Sequence, residues 1–158
     1  MKEKTNVMRI LEKQKIPYKS YYYNEKEAIS GIEVAKVLDE NPEQVFKTLV
    51  TISKNKKIYV FMIPVIEELD LKKAAKIVSE KSLEMLKQKD LLSYTGYIHG
   101  GCSPIGMVKD YPLVIHKSAD QFSTIIFSAG KIGYQVEISV KDLLIYKKAN
   151  LYDRFYNI

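Results

Sequence analysis

The chain has 158 residues, 46% of them hydrophobic and 28% charged, which is the size and composition of an ordinary globular protein with one core. No apolar run approaches the ~20 residues of a membrane-spanning helix, one cysteine excludes an internal disulfide framework, and residues 1–5 lack a secretory signal, so a reducing cytoplasm is expected. The net charge of +6 comes mainly from lysine, and its lysine-rich blocks suit either the phosphates of a polyanion or solvated helix faces.

The first part of the chain predicts two helices with a strand between them. Apolar residues recur at helical spacing over residues 5–15, and Pro17 follows where the helix has ended. Residues 18–23 are aromatic and unbroken, which favours a strand. Ser30 and Glu33 have the spacing of a capping box, which predicts that a second helix begins there.

The central part predicts a hairpin followed by two helices. Residues 45–53 and Ile58–Pro64 are β-branched or aromatic runs separated by a short polar stretch, which is typical of a β-hairpin. Asp70 is expected to cap a helix with an apolar stripe. Ser82 is expected to open another helix that ends near Leu92.

The last part alternates short apolar runs with glycine turns and then closes with a helix. The predicted strands are residues 97–98, Leu113–His116, 124–127 and 134–138, the predicted helix begins at Val140, and the aromatic tail is expected to dock on the body. The fold class that follows is α+β: a single domain over residues 1–158 with a mixed, barrel-like β-sheet flanked by helices.

Six of the seven glycines fall in two clusters, residues 96–106 and 128–133. Glycine permits close backbone approach to a ligand, and consecutive free amides can hold an anion or an oxyanion. Hairpin turns explain the clusters equally well. The segment after the second cluster has strand periodicity, so a dinucleotide-binding loop or a P-loop is not predicted.

Few residues of this sequence suggest a catalytic group. Lys47 interrupts an apolar strand, which indicates either a charge that protects a sheet edge or a cation that holds a phosphate in a pocket. Cys102 lies in a glycine cluster, but a free cysteine often serves as a small apolar residue. His99 and His116 form no pattern typical of a hydrolytic triad or a zinc site.

Several motifs taken together resemble one protein family over nearly the whole chain. They are Phe46-Lys47-Thr48-Leu49, the lysine-rich segment 71–76, Thr95-Gly96-Tyr97, Gly100-Gly101 with Ser103-Pro104 and Gly106, and Ser128 with Gly130-Lys131 and Gly133. In order and spacing they resemble the bacterial YbaK family, free-standing relatives of the editing domain of bacterial prolyl-tRNA synthetases. The resemblance implies the fold of that editing domain.

The activity that the resemblance implies is trans-editing, the release of cysteine from mischarged Cys-tRNA(Pro), with Cys-tRNA(Cys) as a second candidate substrate. In the family the substrate's own thiol is thought to attack its ester, which frees the tRNA and a cysteine thiolactone. No metal or organic cofactor is required. The implied partners are the acceptor end of tRNA(Pro) and prolyl-tRNA synthetase.

The resemblance also assigns roles to individual residues. Lys47 matches a lysine that contacts the terminal adenosine or its phosphate, and a loop amide near Gly101 is expected to stabilise the oxyanion. The implied substrate-binding residues are Tyr23, Ser30, Thr48, Gly100, Ser128 and Gln135. Ser30 stands where a phenylalanine is common and Gln135 where an acidic residue often appears, so pocket size and recognition of the amino group are expected to differ from the family.

Two alternative functions remain compatible with the sequence. One is a deacylase for another small aminoacyl-tRNA, such as Ala-tRNA(Pro), in which a bound water attacks the ester. The other is a non-catalytic module that binds tRNA or a synthetase. Turnover on a panel of charged tRNAs separates the three.

Overall fold

Two β-sheets and five helices make up the part of the chain that the computed structural model describes, residues 2–147 and 155–156. The helices are α1 (Asn6–Lys13), α2 (Gly31–Val37), α3 (Leu71–Ile77), α4 (Gln88–Thr95) and α5 (Val140–Tyr146). The strands are β1 (Lys19–Tyr22), β2 (Phe46–Ser53), β3 (Ile58–Pro64), β4 (Leu83–Met85), β5 (Leu113–His116), β6 (Thr124–Ser128), β7 (Tyr134–Ser139) and β8 (Phe155–Tyr156).

The larger sheet has the strand order β4-β2-β3-β5-β8, and the smaller one has the order β1-β7-β6. The β2–β3 and β2–β4 pairs are antiparallel, whereas β3–β5 and β5–β8 are parallel, so the predicted mixed sheet is confirmed. Within the described residues, a parallel bridge between Val45 and Ile126 joins the two sheets. The arrangement is two bridged sheets rather than a closed barrel.

Strand β3 lies at the centre of the fold and is buried along its whole length. Its side chains alternate between two hydrophobic cores. Ile58, Val60 and Met62 join the core that contains α1 and the smaller sheet. Tyr59, Phe61 and Ile63 pack with the alanines of α3. Burial on both faces explains why this segment reads as an unbroken apolar run.

The structure confirms the predicted hairpin and helix caps. β2 and β3 pair from Phe46 to Ile52. Ser30 and Glu33 form the capping box, with the Ser30 hydroxyl accepting from the Glu33 amide at 3.2 Å and the Glu33 carboxylate accepting from the Ser30 amide at 3.0 Å. Asp70 accepts from two amides at the start of α3, as expected.

Two predicted elements are wrong. The segment expected to begin a helix at Ser82 forms strand β4, because Leu83 and its neighbours pair with the outer edge of β2, and α4 begins only at Gln88. The expected strand at residues 97–98 does not form, because Gly96 caps α4 with a φ of 85° and the Ile98 carbonyl then accepts from the Gly101 amide in a turn.

The aromatic tail is described only at Phe155–Tyr156, which pairs in parallel with β5. Residues 148–154 and 157–158, on which the rest of that expectation falls, lie outside the described residues. One domain over residues 1–158 therefore stays a prediction. Of the described helices, none is long and apolar enough to cross a membrane.

Candidate active site

A cavity of about 610 Å³ collects most of the residues that the sequence singles out. Its walls come from α2, from the first half of β2, from the segment joining β4 to α4, and from both glycine clusters. Seven of the eight predicted site residues line it: Tyr23, Ser30, Lys47, Thr48, Gly100, Ser128 and Gln135. The structure therefore brings together residues that are far apart in sequence.

One wall of the cavity is an incompletely paired stretch of β2. β3 pairs with β2 from Phe46 to Ile52, but on the opposite side β4 pairs only with the three residues from Thr51 to Ser53. The stretch 46–50 lines the cavity, and because the Val50 carbonyl accepts from the Leu86 amide at 2.9 Å, the open part of this edge is residues 46–49. Backbone amides and carbonyls on an unpaired strand edge are available to a ligand.

Lys47 projects from this stretch and is partly buried. Within the described residues its ammonium group has no carboxylate partner and no hydrogen bond. Val45 and Leu49, on the same face of the strand, are apolar and also line the cavity. Because a partly desolvated ammonium group is costly without an anion, this position suits a negatively charged ligand.

Thr48 carries the single buried side-chain oxygen or nitrogen that lacks a hydrogen bond among the described residues, its Oγ1. Three residues further along the strand, the Thr51 hydroxyl donates to the Tyr59 carbonyl at 2.9 Å. Buried hydroxyls in folded proteins are nearly always paired. The unpaired Thr48 hydroxyl therefore points to a ligand in the cavity.

Tyr97 explains why glycines recur in both loops. Its buried hydroxyl donates to the Ile105 carbonyl at 2.5 Å. A Cβ on Gly106 would lie 2.7 Å from that hydroxyl, and a Cβ on Gly130 would lie 2.9 Å from the ring. Both glycines also have positive φ. The two loops thus close around one aromatic side chain, which fixes them beside the cavity.

Gly101 is the one predicted site residue that does not line the cavity. Its amide donates to the Ile98 carbonyl at 3.0 Å, and a Cβ there would lie 3.1 Å from the Ile132 nitrogen of the second loop. Gly101 therefore allows the two loops to touch, and its amide is already used in a turn. The amides of Gly100 and Cys102 make no hydrogen bond within the described chain and both residues line the cavity.

Cys102 is buried and lies beside the Thr95 side chain. Burial raises the pKa of its thiol to about 12, so at neutral pH it is protonated and a poor nucleophile. His99 also lines the cavity, but it is exposed and forms no hydrogen bond to another described residue. No third group therefore orients it as a general base.

Two of the predicted hydroxyls already have local partners. Ser30 caps α2 and is exposed at the rim, and the Ser128 hydroxyl accepts from the Gly130 amide at 3.1 Å. Each keeps its proton as a donor. Beside Ser30, the rim carries Ile29 and Ile32, which are 86% and 51% exposed, and this apolar surface suits a flat base.

Sequence reasoning missed Glu40. With its amide oriented so that Nε2 faces the ionised Glu40, the Gln135 side chain donates to the two carboxylate oxygens at 2.7 and 3.2 Å. Burial raises the pKa of Glu40 to about 7. Nothing in the sequence marks this residue, because its partner lies 95 positions away and only the fold brings the two together.

These features define a pocket for an anionic ligand. The residues that line this one cavity carry an unpaired ammonium group, an unpaired hydroxyl, free loop amides and an apolar rim, a combination that suits the nucleotide end of a larger molecule. The comparisons identify the family. Residues 26–145 match the model of the aminoacyl-tRNA editing domain, and the chain belongs to that family. The predicted family and enzyme class, an aminoacyl-tRNA deacylase, are confirmed.

Individual relatives agree with this assignment. Over 143 residues the chain is 46% identical to an Enterococcus faecalis protein provisionally named Cys-tRNA(Pro)/Cys-tRNA(Cys) deacylase EbsC. The matched region covers 90% of this chain and 87% of that protein. A solved protein provisionally described as a trans-editing enzyme for prolyl-tRNA synthetase superposes with a TM-score of 0.74 at 21% identity, over 83% of this chain and 82% of that one.

A second solved structure, the hypothetical protein APE2540, has a TM-score of 0.81 at 17% identity and covers 91% of this chain and 94% of that one. At these identities the two structures show that the fold is shared. The predicted α+β editing-domain fold is therefore confirmed.

Proposed function

We propose that the protein is a trans-editing deacylase that releases cysteine from mischarged Cys-tRNA(Pro), with Cys-tRNA(Cys) as a second substrate. The observation that carries the proposal is the chemistry of the cavity. It offers an unpaired cation and an unpaired hydroxyl, but the residues lining it include no activated nucleophile, since its one thiol is buried and protonated. The proposed attacking group is therefore the substrate's own thiol, and a bound water is the alternative that the test below distinguishes.

In the proposed reaction the substrate's sulfur attacks the carbonyl carbon of its own ester. The bond from that carbon to the ribose oxygen breaks, the thiol proton goes to the ribose oxygen, and tRNA and cysteine thiolactone leave. Water later opens the thiolactone to cysteine. Holding the thiol against the carbonyl is the enzyme's main contribution. The free amides of Gly100 and Cys102 are the proposed donors to the oxyanion.

The remaining groups hold the tRNA end. In this proposal Lys47 contacts the terminal phosphate or adenosine and Thr48 donates a hydroxyl to the aminoacyl group. Ile29 and Ile32 form the proposed apolar surface for the adenine. The net charge of +6 favours a polyanion, whose phosphates contribute strongly to affinity. We place the reaction in the cytoplasm, where tRNA is charged, and prolyl-tRNA synthetase is the proposed partner.

The test is single-turnover deacylation of proline tRNA charged with cysteine, S-methylcysteine, serine or alanine. Serine is nearly isosteric with cysteine but is a far weaker nucleophile, so the cysteine form is expected to react much faster than the other three. Comparable rates for cysteine and S-methylcysteine would exclude attack by the thiol. Preferential release of alanine would favour the alternative deacylase, and binding without turnover would favour a binding module.

A further inference from the structure

Glu40 is held at a fixed point beyond the C-terminus of α2. Asp39 has a φ of 54°, and the amides of Asp39 and Glu40 donate to the carbonyls of Lys36 and Ala35 at 3.2 and 2.8 Å. These two bonds form a Schellman motif, which closes the helix in a defined geometry. The carboxylate of Glu40 is thereby held in place against β7.

Gln135 is the residue that Glu40 meets there. It is only 5% exposed, and it also lines the cavity. Because an ionised carboxylate only accepts, the amide orientation that satisfies Glu40 places Nε2 against its two carboxylate oxygens. With Nε2 engaged by Glu40, the carbonyl oxygen is the end of the amide that remains for a ligand in the cavity that Gln135 lines. An ionised Glu40 accordingly presents a hydrogen-bond acceptor to the substrate.

Glu137 is the charged neighbour of this pair. It lies two residues along β7 and accepts from the Tyr21 hydroxyl at 2.5 Å and from the Thr124 hydroxyl at 2.5 Å. Its negative charge adds to burial in raising the pKa of Glu40 to about 7, whereas the Gln135 amide opposes that rise. The pKa of Tyr21 is raised to about 12, so its hydroxyl stays a donor.

We propose that Glu40 is a positioning residue that sets which end of the Gln135 amide faces the cavity, and that it thereby controls recognition of the substrate's α-ammonium group. This inference rests on the proposed function. In this proposal Glu40 is the acidic residue that orients the glutamine at this position of the pocket.

The two protonation states of Glu40 require opposite amide orientations. Ionised, the carboxylate only accepts, so Nε2 of Gln135 faces it and the carbonyl oxygen is offered to an ammonium group. Protonated, the carboxyl donates one hydrogen bond, which the Gln135 carbonyl oxygen accepts, and Nε2 then faces the cavity. A donor at that place repels an ammonium group. Because burial raises the pKa of Glu40 to about 7, recognition is expected to improve as the pH rises through this value.

The first experiment follows the Gln135 side-chain amide by NMR in the free protein between about pH 6 and about pH 8. Wild type is compared with Glu40→Gln and with Glu43→Gln, a matched change at an exposed site nearby. The Gln135 signal is expected to titrate with a midpoint near 7 in wild type and in Glu43→Gln, and to stay constant in Glu40→Gln. A Gln135 signal that is constant in wild type would overturn the proposal.

The second experiment measures single-turnover deacylation of Cys-tRNA(Pro) and of N-acetyl-Cys-tRNA(Pro), which lacks the ammonium group. The wild-type rate relative to Glu40→Gln is expected to rise roughly five- to tenfold across this pH range for the first substrate, the effect of about one hydrogen bond, and to stay level for the second. Equal ratios for both substrates would refute control of ammonium recognition. If the Gln135 signal titrates but the protein releases no amino acid from any charged tRNA, the proposed function is refuted. The part of this inference that concerns the substrate is then refuted with it.

Discussion

Thr48→Val tests whether the unpaired hydroxyl exists for a ligand. Valine keeps the shape and the β-branching of threonine, so the strand and its packing are preserved. A buried hydroxyl without a partner costs about 1–3 kcal/mol of folding free energy. Because Thr48 is partly exposed, we expect the cost for its hydroxyl to lie at the low end of this range. Valine is therefore expected to raise the free energy of unfolding by about 1 kcal/mol, or the melting temperature by about 2–4 °C.

The same substitution is expected to impair the reaction. If the Thr48 hydroxyl donates to the aminoacyl group, its loss removes one hydrogen bond of about 1 kcal/mol, which corresponds to roughly a fivefold lower single-turnover rate. Urea denaturation and deacylation of Cys-tRNA(Pro) are the two assays. The expected result is a more stable and slower enzyme.

Thr51→Val is the matched control on the same strand. The Thr51 hydroxyl is fully buried and donates to the Tyr59 carbonyl. Its removal is expected to lower the free energy of unfolding by about 1 kcal/mol and to leave deacylation unchanged. If Thr48→Val is less stable than wild type, the Thr48 hydroxyl is paired within the protein. If Thr48→Val deacylates at the wild-type rate, the Thr48 hydroxyl does not contact the substrate.

Four further predictions follow from the site. Lys47→Ala is expected to lower deacylation by roughly 10- to 100-fold, since a charged hydrogen bond is lost, with an unchanged circular dichroism spectrum and no effect of the exposed control Lys54→Ala. Cys102→Ser should stay within about twofold of wild type, because its thiol is not an activated nucleophile; complete loss of activity in a folded variant would contradict this. Affinity for tRNA is expected to fall steeply between low and moderate salt, and a salt-independent affinity would remove the polyanion argument. The folded-state pKa of Glu40 is raised from 4.5 to about 7, so stability is expected to fall as the pH rises between these values. In Glu40→Gln, whose thermal unfolding is followed against pH, this fall is expected to be absent. Its free energy of unfolding should exceed that of wild type by about 1–2 kcal/mol at pH 8, after allowance for solvation, and should equal it near pH 4.

Elements whose signals are local could be predicted from the sequence. The capping box at Ser30 and Glu33 and the cap at Asp70 each depend on residues within one turn of chain. The β2–β3 hairpin depends on two adjacent β-rich segments. The motifs around Lys47 and the glycine clusters also sufficed to indicate the family, because their order and spacing are read along the chain.

Features that depend on a distant partner could not be predicted from the sequence and became visible in the folded chain. Leu83–Met85 became a strand because the outer edge of β2 was open there. Gly101 proved to be a contact between two loops, because its backbone meets Ile132. Glu40 reached the site because a helix cap placed it against Gln135. In each case the deciding contact joins residues far apart in sequence, and hydrogen bonding and burial at that contact outweigh local preference.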